Sequence, residues 1–465
     1  MKRAFLYLIF LSMVLSTTLQ FAPASSAAGP TKVSHTIIAM TGDIAPIGGS
    51  YLPGSFSAVR LNPRHDVVFD ASVGPPFTTG VFVADGKTTS TIALGTNPDP
   101  AAPSFGSVSN PFITPNGDVV FDVNVVDCYR SDGKTIIPLV RDGDAAPGGG
   151  VLTPNTRVAN DHGAIAYIGF VSGATATQGV FRSDGAQTIA IARDDIAPPT
   201  GGTFILLDNV SINDRGQVAF FSVMSGGSAD FGVFRGEGGE LTPVFLGNQI
   251  APGGATFNDF GIPVINRHGQ VATSASLTNS DSAVGLFVGD GTNAVAIALE
   301  GQAAPKGGVF RDQSGRHLTF RSLKFNDRGE VAFDSLLTGS SSPAGIFRGD
   351  GEHTTAVALA KTTAPGTTGT FAAFRDFRLL NDGRVAFVAS LTVGIGDVNL
   401  SNNLGIWIGT SDQDLQLVAR TGDVIDGKVL TNFPAVGNGL DVNENAVVWV
   451  GNFGPARAVV LSQPL

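Results

Sequence analysis

Arg60, Lys324, Arg378 and Asp441 share one place in a recurring stretch of this chain, two residues ahead of an Asn or its equivalent. The other copies carry Phe112, Val158, Ser211 and Val264 there. Arg321 and Arg375 add cations three residues earlier in two copies. Guanidinium and ammonium groups gathered around one opening can hold carboxylate, sulfate or phosphate groups. Asp376 and Asp441 lie among them, so an internally paired, solvated channel is the competing reading. The choice depends on whether the fold brings position 60 next to position 441.

Other candidate chemistries read as structure. Gly80–Thr88, G-V-F-V-A-D-G-K-T, imitates a phosphate-binding loop, but its glycines are six apart and its residues recur as a hairpin elsewhere. The Asp-Gly turns at Asp132, Asp184, Asp290 and Asp350 each offer one carboxylate, too few for calcium. Cys128 is the only cysteine, which excludes an intramolecular disulfide, and it replaces an apolar strand residue, as a buried inert thiol would. Of the six histidines, three (His65, His162 and His268) lie in the repeated turn, but in copies one, three and five, which are not neighbours, so no shared metal site is expected. There is no G-x-S-x-G elbow and no H-E-x-x-H or C-x-x-C spacing. No catalytic residue, metal or cofactor is assigned.

The positioning element is the stretch Ile212–Phe221, I-N-D-R-G-Q-V-A-F-F. Asn213 and Asp214 favour a turn through side-chain bonds to nearby backbone, and Gly216 supplies the positive φ of a reversal. Val218–Phe221 is an unbroken apolar run, the pattern of a strand buried on both faces. Equivalents of Gly216 are His65, Gly117, Gly163, Gly269, Gly329, Gly383 and Ala446, a period of about 54 residues over the 381 separating the first from the last. Gly227, by contrast, reads as part of an exposed connection. Each copy continues with a G-V-F-type strand, an Asp-Gly hairpin and another apolar strand, as in Gly179–Gly185 followed by Thr188. A Pro- and Gly-rich link such as Asp144–Gly150 then closes the unit.

Four antiparallel strands per unit and Asp-Gly reversals within each unit predict an all-β, eight-bladed β-propeller rather than a β-helix. In the fourth unit the strands are expected near Phe204–Ile212, Gln217–Val223, Gly232–Arg235 and Leu241–Leu246. The ends support the same architecture. His35–Met40 matches the fourth strand of a unit, while the chain ends after a third strand, Ala456–Leu461. Pairing these two strands completes an eighth blade and closes the ring. Closure would then make the charged copies six, seven, eight and one contiguous.

The consensus N-x-x-G-x-x-A-F, carried by Asn213–Phe220 and Asn326–Phe333, resembles the tandem NxxGxxAF repeat of secreted bacterial proteins. The resemblance spans nearly the whole chain beyond the leader described below. It implies a propeller-like repeat fold and lends no catalytic residues. His65, Thr273 and Ala446 depart from the consensus.

Composition limits the function. Sixty Gly and 26 Pro suit many short strands joined by turns, and only six of the 39 acidic residues are Glu, so most carboxylates are turn formers. Lys2 and Arg3 precede the apolar run Ala4–Leu15, with small residues around Ala27 and Ala28. Residues 1–28 therefore read as a secretory signal peptide cleaved after Ala27 or Ala28, ahead of a single propeller domain at 29–465. Cleavage removes two basic residues and takes the net charge from −10 to −12, which argues against nucleic acid or an anionic membrane as partner. The expected protein is secreted, extracellular or periplasmic, and monomeric. It binds a glycan, a surface polymer or another protein at one propeller mouth, through Arg60, Arg321, Lys324, Arg375, Arg378 and Asp441. A carbohydrate-active hydrolase or lyase at the same mouth is the alternative.

Overall fold

The turn at Asn213 shows how the recurring stretch becomes a blade. Thr203–Ile212 enters it and Val218–Ser225 leaves it, paired antiparallel from Thr203↔Ser225 to Ile212↔Val218. Gly216 has φ +78°, the left-handed region that disfavours a Cβ. The Asn213 side-chain oxygen accepts from the N–H groups of Arg215 (3.1 Å) and Gln217 (2.9 Å), the local bonding expected of a turn-forming Asn. Phe231–Gly236 and Thr242–Leu246 complete the sheet in chain order.

A computed structural model describes residues 33–75, 77–97, 104–311, 323–434 and 438–464. The leader and its cleavage site at Ala27 or Ala28 lie outside the described residues, as does Arg321. The described residues form eight such antiparallel sheets, the all-β propeller expected from the repeat. In blades 1, 5 and 6 the inner strand is broken into two pieces, for example Val309–Arg311 and Lys324–Phe325 in blade 6. Among the described residues no helix is long and apolar enough to cross a membrane.

Closure occurs as the termini suggested. Val33–Met40, starting two residues before the expected strand, pairs antiparallel with Ala456–Pro464, from Val33↔Pro464 to Met40↔Ala458. It is the outer strand of blade 8, whose inner strand is Leu440–Asn443. Ser462 ties this seam, bonding the His35 ring at 2.8 Å and accepting from the Trp449 indole N–H at 2.7 Å. Leu440–Asn443 in turn lies beside Val59–Leu61, the inner strand of blade 1.

The core sits between blades. Val218 and Phe220 pack with Ala166, Ile168 and Ile191 of blade 3, while Ala219 and Phe221 pack with Phe257, Ile265 and Val271 of blade 5. A strand with an apolar neighbour on each side needs no polar alternation, and the small Ala lets the next sheet approach. The Phe of the motif stacks on an aromatic of the third strand: Phe220 on Phe234 and Phe333 on Phe347, both with centroids 5.7 Å apart. The Gly of G-V-F passes under that ring. A Cβ on Gly232 would lie 2.7 Å from Phe234.

The Asp-Gly reversals are turns, as expected. Asp290, for example, accepts from the N–H groups of Thr292 and Asn293 at 2.7 Å each, and Gly291 has φ +94°. Cys128 is a buried free thiol whose pKa burial pushes up. One expectation fails: Ala446 does not take the turn-Gly position, because blade 8 uses a two-residue reversal in which Asn443 pairs directly with Ala446. Gly227 is exposed as expected, but a Cβ there would meet the Gly201 carbonyl oxygen at 2.2 Å.

Candidate functional site

Antiparallel order places the Asn turns and the Asp-Gly turns on one face of the ring, and the other connections on the opposite face. The Asn turns surround the channel mouth on the first face. They are joined by a belt that local sequence does not reveal. Asn160 Nδ2 donates to the Asn213 carbonyl (2.9 Å), Asn213 Nδ2 to the Asn266 carbonyl (2.9 Å), and Asn266 Nδ2 to the Asn326 carbonyl (3.3 Å). Asn326 Nδ2 donates to the Leu380 carbonyl (3.0 Å), Asn443 Nδ2 to that of Asn62 (2.8 Å), and Asn62 Nδ2 reaches that of Thr114 at 3.4 Å. Leu380 and Thr114 stand where an Asn would sit, and blades 7 and 2 accept the bond without passing it on.

A second tier lies one residue further on. Asp214 accepts from the Asp161 N–H (3.0 Å), Asp327 from the Arg267 N–H (2.9 Å), and Asn381 Oδ1 from the Asp327 N–H (3.0 Å). The residues of this tier differ in how far they are neutralised. Asp327 is partly neutralised by Arg267 at 3.7 Å and by the Asn381 amide at 2.9 Å. Among the described residues the Asp161 carboxylate makes no ion pair or hydrogen bond, and only its backbone N–H is engaged. Enclosure in the mouth raises its pKa first, then the charges of Asp214, Asp327 and Asp441, with His162 opposing, to about 6.

Below the belt, ring closure brings together most of the charged positions read from the sequence. Asp441 and Arg60 lie on adjoining inner strands, and the Asp441 carboxylate accepts from the Leu61 N–H at 2.9 Å. Arg60 donates to the Val59 carbonyl and to Asn438 Oδ1, both at 2.8 Å. Arg378 pairs with Asp376 at 2.5 Å and also donates to the Phe377 carbonyl at 3.0 Å. Lys324 is different: among the described residues it has neither an ion pair nor a hydrogen-bond partner.

The electrostatics show these groups acting on one another. Burial lowers the Lys324 pKa, Arg378 and Arg60 lower it further, and Asp376 and Asp441 oppose them. Burial likewise lowers Arg60, with Asp441 opposing and Arg378 adding to the shift. Asp441 is raised by burial against the pull of Arg60, the Leu61 N–H and Arg378. Arg375 is exposed and does not figure among these interactions, because the strand is irregular between Phe374 and Phe377. A cavity of about 530 Å³ opens at the Asn-turn mouth and is lined by Arg60, Asp441, Asp161, Phe112, Phe325 and Asn381 among others. Among the described residues no cluster of His, Cys, Asp and Glu could hold a metal ion.

The family model described as a family of unknown function, DUF7453, matches residues 130–451. The chain belongs to this family. Of the charged positions, Lys324, Arg375, Arg378 and Asp441 fall within the DUF7453 match, and Arg60 falls outside it. No curated protein matches the chain. Solved structures similar to this DUF7453 chain include a Mycobacterium tuberculosis puromycin-hydrolyzing peptidase, at 12% identity and TM-score 0.42, covering 85% of this chain and 57% of the peptidase. They also include the polysaccharide lyase Uly1, at 9% identity and TM-score 0.39, covering 84% of this chain and 100% of the lyase. A Penicillium chrysogenum alpha-L-arabinanase complexed with arabinobiose is similar at 14% identity and TM-score 0.31, over 70% of this chain and 99% of that one. The chain thus spans little more than half the length of the peptidase it matches.

Proposed function

We propose that the protein is an exported, monomeric propeller that binds an anionic group of a glycan or surface polymer inside its channel. Residues 1–28 serve as the leader and the remainder as a single binding domain. The observation that carries the reading is Lys324. It is a half-buried ammonium with no partner among the described residues, set in the field of Arg378 and Arg60. A paired lattice of charges leaves no such group, whereas an anion site needs one. Arg378 and Arg60 supply directional N–H donors around it, and the low-dielectric walls focus their field. Asp376 limits the positive charge without cancelling it.

The test is an array of neutral and acidic saccharides probed with the purified protein. Acidic members should be retained and neutral ones of the same backbone should not. Equal retention of both, or of neither, contradicts the proposal.

One observation favours a second reading, a carbohydrate-active hydrolase or lyase at the same mouth. Asp441 lines the cavity, and burial holds it toward the protonated form that a general acid uses. Turnover of an acidic oligosaccharide, lost in Asp441→Asn, would select this reading over simple binding.

A further inference from the structure

The channel holds two half-sites of opposite sign. Toward its floor Arg60 lines the cavity, and Arg378 and Lys324, on the inner strands of blades 7 and 6, interact electrostatically with Arg60. Its rim carries Asp161, Asp214 and Asp327 on the Asn turns, with Glu444 beside them on the turn of blade 8. The floor residue Arg60 and the rim residue Asp161 line the same cavity of about 530 Å³.

Each half-site contains ionised groups that the described residues leave without a partner. Among the described residues the Lys324 ammonium and the Asp161 carboxylate each lack a hydrogen-bond or ion-pair partner, and they are not paired with each other. Arg378 has Asp376, Arg267 has Asp327, and Asp214 takes the Asp161 N–H, while the exposed Glu444 carboxylate, like that of Asp161, has no partner among the described residues. A long polyanion passing through this mouth would have to lie against the rim carboxylates before reaching the cations. Like charges gathered around one opening repel it, so the rim selects against it.

We infer that the channel takes a zwitterion, its anionic group on Lys324, Arg378 and Arg60 and its ammonium group on Asp161 at the rim. This rests on the anion-binding reading above and narrows its ligand class to molecules that carry both charges, such as amino-sugar saccharides with an acid group or amino-acid derivatives. One ligand would satisfy Lys324 and Asp161 at once. Phe112 and Phe325 line the cavity and give the ligand's uncharged span an apolar surface to cross.

Calorimetry with 6-aminohexanoate, hexanoate and hexylamine tests the inference, with 4-aminobutyrate and 8-aminooctanoate to read the spacing between floor and rim. One aminocarboxylate of the series should bind at least about tenfold more tightly than either singly charged compound, the worth of one added charge-assisted contact. Asp161→Asn should remove that preference and leave hexanoate binding intact or tighter. Lys324→Gln should weaken both the aminocarboxylate and hexanoate. If hexanoate binds as tightly as every aminocarboxylate and Asp161→Asn changes nothing, the zwitterion inference is overturned and the anion site stands. If none of the binding responds to Lys324→Gln in a protein of unchanged thermal stability, both readings are overturned.

Discussion

The side chain of Asn213 donates to the backbone carbonyl of Asn266 at 2.9 Å, although 53 residues separate them in the chain. The same side chain closes its own turn through Arg215 and Gln217. One amide therefore uses its oxygen locally and its nitrogen between blades, which explains why Asn, rather than Asp or Ser, heads most copies. Asn213→Ala leaves buried donors and acceptors unmatched and should cost about 1–3 kcal/mol in denaturant unfolding. Asn213→Asp should not rescue it, since a carboxylate would face the Asn266 carbonyl. Full stability of either variant would contradict the belt.

Ring closure depends on Val33–Met40. Deleting that strand leaves Ala456–Pro464 with an open edge and uncovers the seam held by Ser462. A truncated protein should melt at a lower temperature and self-associate, as seen by light scattering. A truncated monomer with an unchanged Tm would show that the seam adds nothing.

Two glycines separate backbone demand from space. Gly216 is at φ +78°, and a Cβ there would also meet the Arg182 guanidinium, which bonds the Gly216 carbonyl at 2.7 Å. Gly216→Ala should cost about 1–2 kcal/mol, the penalty of the left-handed region. Gly239 has no positive φ, and a Cβ there would find no atom within 4 Å, so Gly239→Ala should be near neutral. Equal losses at the two sites would refute the turn assignment.

Asp161 gives a pH dependence of defined sign. Its pKa in the folded protein is about 6, raised by enclosure and by Asp214, Asp327 and Asp441 against His162. In the unfolded chain it returns to the ordinary carboxylate value of about 3.9. Between these values the folded state holds the extra proton, so this group adds stability as pH falls from about 7 toward 4. Asp161→Asn removes that contribution. The variant should be the more stable of the two at pH 8, with the difference closing by pH 4, as read from thermal unfolding. A difference that is constant across this range would place Asp161 outside the carboxylate cluster.

Much of the fold was legible because it rests on local rules repeated many times. Gly216 announces its turn, Ala219 its close sheet contact, and the unmatched strands at the two ends announce closure. From closure alone the neighbourhood of Arg60 and Asp441 follows, 381 residues apart. What escaped the sequence depends on non-local geometry. Asp214 reads as a turn former, and its bond to the Asp161 N–H, which places it on a carboxylate rim, requires knowing the neighbouring blade. Arg375 has the spacing of a channel residue, yet the irregularity between Phe374 and Phe377 exposes it away from the interacting charges. Gly227 looks like free loop and packs against the Gly201 carbonyl.

An anion site built on Lys324 and Arg378 within the closed ring should respond to salt and to loss of those two cations. The salt dependence of glucuronate binding, measured by calorimetry on the wild-type protein and on the Lys324→Gln, Arg378→Gln double variant, tests it most directly. Wild-type binding should weaken steadily with added salt, and the double variant should bind about tenfold or more weakly with a flattened dependence. An affinity and a salt slope unchanged in a folded double variant would contradict it.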